Sequence, residues 1–267
     1  MEKIKFYCVT NKIVNFINHQ NYNFAWVGKD NVSNDYILCN NKKNIFYKEK
    51  YYSELTFHYW YWKNLLDQED ENCWVGFCQK RRFWIKDYLN EKIDLNNINK
   101  HLLINLDKNS LNYESIICDP ISVSGVKKTK LIKRGWRNVL RNPIILFNKK
   151  YYNISLHFDM HHGYKNLEKA IQLLTHNDRN DFHQYVNSRD YYNPHIMCIA
   201  RPKVLEKWFE SLFPWLERCE EKFGYENLKG YDTQRLYAYL GERYLSFWFK
   251  KNSNYITWPF IFRDING

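Results

Sequence analysis

Apolar and polar positions alternate in distinct patterns along this 267-residue chain. Short apolar runs rich in β-branched and aromatic residues predict strands at 4–10, 74–78, 114–121 and 194–200. Longer stretches, in which apolar residues recur every three or four positions, predict helices at 53–66, 164–174, 202–223 and 232–252. Strands that alternate with helices predict an α/β fold with a mainly parallel sheet.

Local signals mark two of the helix starts. Ser53 is a predicted N-cap, and Glu54 follows in the first turn, where a carboxylate suits the helix dipole. Pro202 stands near the start of another helix, where proline is tolerated. No repeat and no composition shift marks a boundary, so we expect a single domain over 1–267 with a basic insertion at about 120–150.

Composition and charge narrow the class of protein. Hydrophobic residues make up 45% of the chain and aromatic residues 18%, enough for a sizeable core. The net charge of +11 favours anionic partners such as nucleic acid, anionic lipid or phosphorylated substrates, without choosing among them. The seven cysteines are scattered and form no C-x-x-C pair, which excludes a zinc ribbon and predicts reduced thiols in a cytoplasmic protein.

The amino-terminal sequence MEKIKFYCVTNKIV lacks the long apolar core of a signal peptide. No apolar run is long enough to cross a bilayer. We therefore expect a cytoplasmic protein, and any membrane contact is expected to be peripheral. The stretch 125–142 is the candidate for such contact, as a basic amphipathic helix; its alternative is a solvated helix.

The segment W-V-G-F-C-Q-K-R-R-F-W, residues 74–84, begins as a buried strand and ends on clustered cations. Open α/β sheets bind ligands beyond the carboxyl ends of their strands. Arginine presents a fork of donors that matches phosphate. The turn is therefore either a solvated turn or an anion site formed by Gln79, Lys80, Arg81 and Arg82.

These residues belong to two longer motifs that resemble a bacterial glycosyltransferase family of capsular and exopolysaccharide synthesis, first catalogued as a domain of unknown function. The family patterns are E-L-T-x-x-Y-W-x-W-K-N and V-G-F-C-H-Y-R-R. Matching residues are Glu54, Leu55, Thr56, Tyr59, Trp60, Trp62, Lys63, Asn64, Val75, Gly76, Phe77, Cys78, Arg81 and Arg82. Gln79 replaces the family histidine and Lys80 the family tyrosine.

The resemblance continues towards the carboxyl end and covers most of the chain except about 120–150. His162 falls on the family histidine, while Asn166 replaces an aspartate and Ile196 an asparagine. In Q-R-L-Y-A-Y-L-G-E-R-Y-L, the family residues Arg235, Glu242 and Arg243 are retained.

The resemblance implies a single GT-A-like, Rossmann-related domain that transfers a sugar from a nucleotide-activated donor, a UDP-sugar by expectation, to a growing surface polysaccharide. It implies donor contacts from the cation turn and from Glu54, Lys63, Asn64, His162 and Arg243. Many such enzymes bind a divalent metal through D-x-D, which this chain lacks. Guanidinium groups can stabilise a leaving diphosphate as a metal does. We therefore assign no metal ligand, although Mn²⁺ or Mg²⁺ fits the same chemistry.

The histidines of H-F-D-M-H-H offer an alternative metal site, because His and Asp are competent ligands. In a strand, Asp159 and His161 would share one face and His162 would lie on the other, which disfavours a common metal. We expect His162 to contact donor or acceptor instead.

Three carboxylates are candidates for the base that takes the acceptor hydroxyl proton. Glu242 is the first candidate, although it could instead pair with Arg235 or Arg243. Asp119 and Asp159 are the alternatives. Two other functions compete with glycosyl transfer: basic nucleic-acid binding, and a metal-dependent phosphodiesterase centred on the histidines, which lacks a second ligand motif.

Overall fold

The computed structural model describes residues 2–88 and 92–264, which form two compact units. Unit 1 comprises Met1–Asp119, His195–Ser211 and Trp248–Gly267. Unit 2 comprises Pro120–Pro194 and Leu212–Phe247. The expectation of one functional domain stays a prediction.

A mixed, mainly parallel sheet is the centre of unit 1. Its strands run in the order β11-β7-β10-β4-β1-β2-β3, and only β10 on this path is antiparallel to its neighbours. The strands are β1 Glu2–Thr10, β2 Tyr22–Trp26, β3 Tyr36–Leu38, β4 Trp74–Gln79, β7 Ser115–Cys118, β10 Cys198–Ala200 and β11 Tyr255–Trp258. Shorter strands extend it: β5 Arg82–Trp84, β6 Asn105–Leu106 and β12 Phe260–Phe262. The predicted α/β fold with a mainly parallel sheet is confirmed.

Alternation along the central strands gives the sheet two apolar faces. Tyr7 and Phe77 project to one face, where helices α2 (Leu55–Asn64) and the first half of α9 (Pro202–Phe223) supply Phe57, Tyr61 and Phe209. The other face carries Phe6, Trp74 and Cys78 and packs against α3 (Ile98–His101). Gly76 lies opposite Phe6 in the β1–β4 register, and an added Cβ there would clash with the Phe6 ring.

The predicted helix at 53–66 is confirmed, but its predicted cap is wrong. Glu54, not Ser53, occupies the N-cap position, and no side chain caps the helix. Ser53 adopts a φ of 50° as it leaves α1 (Glu49–Tyr52), and its carbonyl accepts a hydrogen bond from the Thr56 hydroxyl at 2.7 Å. All seven cysteines are free thiols, and all but the half-buried Cys73 are buried, as predicted.

Unit 2 is mainly helical. Its helices are α4 Lys128–Arg134, α5 Trp136–Arg141, α6 Ile154–His162, α7 Asn166–Ile171, α8 His176–Ser188, the second half of α9, α10 Tyr231–Gln234 and most of α11 Leu236–Asn252. Strands β8 (Ile121–Ser122) and β9 (Tyr191–Tyr192) pair antiparallel. An aromatic core of Phe182, Trp215, Tyr244 and Phe247 joins α8, α9 and α11.

Two helical predictions need correction. The single basic helix at 125–142 is two short helices that meet at Gly135, packed so closely on Leu131 and Met160 that a side chain there would crowd both. The helix predicted at 232–252 is divided at Arg235 between α10 and α11. Within the described residues, no helix is both long and apolar enough to cross a bilayer.

Candidate functional site

The carboxyl edge of the sheet brings the cation turn and Asp119 onto one side of unit 1. Strands β1, β4, β7 and β11 point the same way, since β1 pairs parallel with β4, β7 pairs parallel with β11, and β10 opposes both β4 and β7. Gln79 ends β4, and Asp119 directly follows β7. This is the edge at which open α/β sheets bind ligands.

Lys80 and Arg81 form the tight turn between β4 and β5, in which Gln79 pairs with Arg82. The Lys80 amide donates to the Val9 carbonyl at 3.1 Å, and its ammonium group contacts the Asn11 side chain. The Arg82 Nη1 donates to Gln79 Oε1 at 2.9 Å. Main-chain pairing therefore ties the turn to the ends of β1 and β4, and Gln79, which replaces the family histidine, orients Arg82.

The carboxyl-terminal strand β12 covers one side of this turn. It pairs antiparallel with β5, and the Phe262 ring lies 5.4 Å from the Arg82 guanidinium. Arg81 Nε lies 3.4 Å from Asp264 Oδ1. The turn therefore presents half-buried arginines, one of which faces a carboxylate. Arg81 and Asp264 are 183 residues apart (264 minus 81), so no local sequence pattern indicated this ion pair.

Asp119 has a clear structural setting. Its amide donates to the Trp258 carbonyl at 3.0 Å, which fixes it at the end of β7. The exposed Tyr88 hydroxyl interacts with its carboxylate; partial burial and this hydrogen bond raise the pKa of Tyr88 to about 12. A carboxylate at this edge of the sheet is a residue type that can accept a proton from an acceptor hydroxyl.

Three residues implied by the first family motif lie on α2. Glu54 is the N-cap, and Lys63 Nζ stands 3.1 Å from the Trp62 ring centroid. Asn64 links α2 to the preceding loop: it donates to the Lys43 and Trp60 carbonyls and accepts from the Lys43 amide. The Asn64 side chain therefore anchors the 41–44 loop to α2. Donor contact by Glu54, Lys63 and Asn64 stays a prediction.

The segment H-F-D-M-H-H is a helix, α6, so the strand argument about its faces is wrong. The Asn153 side chain caps the helix by accepting a hydrogen bond from the Leu156 amide, and the apolar residues at 154, 156, 158 and 160 are buried. His157 and His161, one turn apart, stack with ring centroids 4.4 Å apart. Among the described residues, no group of three or more His, Cys, Asp or Glu side chains is placed to hold a metal ion.

His162 is buried and held by its neighbours. Its Nδ1–H donates to the Asp232 carbonyl at 2.8 Å, and its ring stacks on Tyr239 at 3.7 Å. Burial, followed by the nearby Arg243 cation, lowers the pKa of His162 to about 4. Asn166 donates to the His162 carbonyl at 2.9 Å, a bond that the family aspartate in its ionised form could not donate.

Arg243 is buried, with 1% of its side chain exposed, and it forms an ion pair with Glu242. The guanidinium lies 3.8 Å from the Tyr192 ring centroid and 3.4 Å from His157 Nδ1. Burial and then Arg243 lower the pKa of His157 to about 2. Arg235 lies over the Tyr231 ring, and Arg243 forms the ion pair with Glu242.

A cavity of about 420 Å³ lies within unit 2, in the size range of small-ligand sites. Its walls come from α4, α5, α6, the segment after α6, and α10. Its lining includes Arg134, Trp136, Arg137, Asn138, Asp159, His161, Tyr164 and Asp232. Sequence reasoning identified Asp159 but missed Arg134, Trp136 and Arg137, because these residues lie in the 120–150 stretch where the family resemblance fails.

Asp159 is the half-buried carboxylate of this cavity. Its Oδ1 accepts the Lys165 amide at 2.8 Å, and burial raises its pKa above the usual range. Arg134 Nη1 pairs with Asp232 Oδ2 at 3.0 Å, and both residues line the cavity. The Arg137 guanidinium lies 5.2 Å from the Trp136 ring and 5.6 Å from the Tyr164 ring. Aromatic faces, amide and carboxylate together suit a polyhydroxylated ligand.

Comparison with known proteins identifies the family. The family described as a domain of unknown function, DUF4422, matches residues 5–253. The chain belongs to this family. No curated protein matches the DUF4422 chain.

A solved structure shares the DUF4422 chain's fold. It is the apo structure of the bifunctional glycosyltransferase WbbM, with a TM-score of 0.72 and 16% sequence identity. The match covers 98% of this chain and 45% of WbbM, so the chain spans less than half of that protein's length. At this identity, the likeness establishes the fold.

Proposed function

We propose that the protein is a glycosyltransferase that uses a nucleotide-sugar donor. The observation that carries this proposal is the common placement of Arg81, Arg82 and Asp119 at the carboxyl edge of one mixed, mainly parallel sheet. An α/β fold shared with a bifunctional glycosyltransferase, and a GT-A-like arrangement implied by the sequence motifs, support the same conclusion.

In the proposed reaction, the acceptor hydroxyl attacks the anomeric carbon, the carbon–oxygen bond to the nucleoside diphosphate breaks, and the hydroxyl proton passes to a carboxylate. Negative charge accumulates on the departing diphosphate. Lys80, Arg81 and Arg82 would stabilise that charge, and Gln79 would hold Arg82 in place. A UDP-sugar is the proposed donor class.

Asp119 is the proposed base, because it shares the sheet edge with the cation turn and stands beside a hydroxyl already. Glu242 is assigned a positioning role, since its carboxylate is committed to a buried guanidinium. Asp159 is assigned to the cavity of unit 2.

The proposed acceptor is a growing capsular or other surface polysaccharide, free or lipid-linked. The resemblance of the sequence motifs to polysaccharide-synthesis enzymes supports this proposal, and the cavity of unit 2 offers aromatic faces and polar groups for a saccharide. The proposed location is the cytoplasm, including the inner face of the membrane.

The test is a thermal-shift screen of UDP- and other nucleotide-sugars, followed by a transfer assay with the stabilising donor. A ligand that binds only the folded protein raises the melting temperature by mass action. Stabilisation by one nucleotide-sugar, with release of its nucleoside diphosphate, supports the proposal. Stabilisation by oligonucleotides alone, with none by any nucleotide-sugar, would favour nucleic-acid binding instead.

A further inference from the structure

The charged side chains of the segment 120–158 are all positive. It carries nine Lys and Arg residues and no Asp or Glu. The cations are Lys127, Lys128, Lys130, Lys133, Arg134, Arg137, Arg141, Lys149 and Lys150. All of this segment belongs to unit 2. Such a concentration attracts an extended anionic partner.

The same segment exposes an unusual number of large apolar side chains. Thirteen such side chains are exposed among the described residues, and six of them lie between 132 and 151. They are Ile132, Trp136, Leu140, Ile144, Phe147 and Tyr151, which we call the outer stripe. They recur every three or four residues along α4, α5 and the short helical turns that follow.

The core does not require the outer stripe. Other residues already form the inner contacts of this segment. Leu131 and Ile145 are buried in one hydrophobic cluster with Tyr152, Leu156 and Met160, and the partly buried Val139 packs against that cluster. The outer stripe therefore exposes apolar area in addition to that inner face. A patch of this kind usually marks an interaction site.

We propose that the outer stripe and its flanking cations form a docking surface for an anionic phospholipid bilayer. Interfacial amphipathic segments combine these two features: apolar and aromatic residues enter the headgroup boundary while Lys and Arg pair with lipid phosphates. Cations already lie against the aromatic members. Lys128 Nζ is 5.6 Å from the Phe147 ring centroid, and the Arg137 guanidinium is 5.2 Å from the Trp136 ring.

Charge distinguishes the bilayer from other occupants. A second copy of the chain, docked through the same surface, would bring like charges together. Nucleic acid would engage the cations but leave the apolar stripe uncovered. A bilayer with anionic headgroups satisfies both components at once.

This surface adjoins the cavity of unit 2, because Trp136 belongs to both and Arg134 and Arg137 line the cavity. A saccharide attached to a lipid in the docked membrane would therefore lie beside that cavity. This consequence rests on the proposed function, whereas lipid binding itself requires neither donor nor transfer activity.

Cosedimentation with vesicles tests the proposal directly. Wild-type protein should partition onto phosphatidylcholine vesicles that contain phosphatidylglycerol, and added salt should weaken that partitioning. The variant Leu140→Ser/Phe147→Ser, which removes side chains that are 72% and 80% exposed, should partition at least about tenfold less. The matched control Ile13→Ser/Tyr47→Ser removes side chains that are 67% and 77% exposed in unit 1 and should bind as wild type does.

A second pair of variants tests the charges. Lys127→Gln/Lys130→Gln/Lys133→Gln should lose about tenfold or more in partitioning onto anionic vesicles. Lys29→Gln/Lys92→Gln/Lys108→Gln removes the same charge from exposed positions of unit 1 and should bind like wild type. Far-ultraviolet circular dichroism confirms that each variant is folded.

Three results would overturn the proposal. Wild-type protein could fail to bind anionic vesicles, or the control variants could lose as much binding as the segment variants. Light scattering could also show a wild-type dimer that Leu140→Ser/Phe147→Ser converts to a monomer, which would assign the stripe to a second copy. Transfer to a soluble acceptor, measured without vesicles, reports on the proposed function separately.

Discussion

Arg81 and Asp264 form an ion pair at the carboxyl edge of the sheet, with Nε and Oδ1 separated by 3.4 Å. The pair brings a carboxylate beside the turn that we propose binds a diphosphate. A carboxylate in that position repels an incoming phosphate and competes for the guanidinium. The free protein therefore holds Arg81 partly neutralised.

Replacing this carboxylate should strengthen nucleotide binding. Asp264→Asn is expected to lower the Kd for UDP, measured by titration calorimetry, by up to about fivefold, since exposed ion pairs are worth at most about 1 kcal/mol. Asp30→Asn removes the same charge from an exposed position and should leave the Kd unchanged. Weaker UDP binding by Asp264→Asn would show that the pair organises the site.

The arginines themselves should act mainly on turnover. Arg81→Ala and Arg82→Ala should reduce the initial rate at saturating donor by at least about tenfold, because their stabilisation grows as the diphosphate departs. Arg82→Lys should not restore the rate, since it loses the planar fork of donors that Gln79 orients. The control is Arg189→Ala, at an exposed arginine of unit 2 outside the basic segment. Near-wild-type rates in both folded variants would reduce the cluster to a solvated turn.

Substitution of Asp119 should affect mainly turnover, whereas substitution of Glu242 should affect mainly folding stability. Asp119→Asn should lower turnover by roughly a hundredfold or more with little change in melting temperature, as expected for a lost base. Glu242→Gln removes the counterion of a buried guanidinium and should cost about 3 kcal/mol of folding free energy. Denaturant unfolding and initial rates, measured on both variants, test the assignment, and the reverse pattern would make Glu242 the base.

His58 should make folding sensitive to acid. It lies buried against Phe77, 4.2 Å between ring centroids, and neither ring nitrogen has a hydrogen-bond partner. Burial lowers the pKa of His58 to about 3, so the unfolded chain binds a proton that the folded chain does not. Folding stability from this residue is therefore complete above the unfolded pKa of about 6.5 and declines as pH falls towards 3.

Denaturant unfolding at two pH values measures this effect. Between pH 7.5 and 5, His58 should account for a loss of about 2 kcal/mol, and His58→Phe should lose that much less stability over the same interval. His157 and His162 contribute to the same trend in both proteins, because their pKa values are also lowered. The control His183→Phe, at an exposed position of α8, should follow wild type. Equal slopes in wild type and His58→Phe would contradict the assignment.

Turnover should not depend strictly on a divalent metal. The chain lacks D-x-D, and the cation turn offers an alternative way to stabilise the leaving diphosphate. Dialysis against EDTA is expected to leave the transfer rate within about threefold of the untreated enzyme, well under the hundredfold cost of losing one such stabilising group. Activity that is abolished by EDTA and restored by manganese would refute this prediction.

Local sequence patterns predicted the buried strands and helices well where apolar composition and periodicity indicated the same element. Strands β1, β4 and β7 and helix α9 appear close to their predicted positions, because their apolar runs are bounded by polar residues. Strands β11 and β12 were not predicted. Their residues are only partly buried, and pairing with β7 and β5 determines them.

The segment around Asp159 shows where local inference fails. Its short run of histidine and apolar residues fits either periodicity, and only the Asn153 cap and the packing of α6 determine the helix. The helical turn then brings His157 and His161 together, a contact that a strand would not form.

The sequence by itself determined the family, the α/β class with its parallel sheet, and the cluster of arginines after β4, because motif order, hydrophobic periodicity and charge are local properties of the chain. Only the tertiary structure decided which groups those residues meet. Asp264 reaches Arg81 through the β5–β12 pairing, Glu242 is held by the buried Arg243, and Asp159 lines a cavity built largely from the basic segment. Such contacts join distant parts of the chain, and strand register and side-chain packing, which no short pattern encodes, determine them.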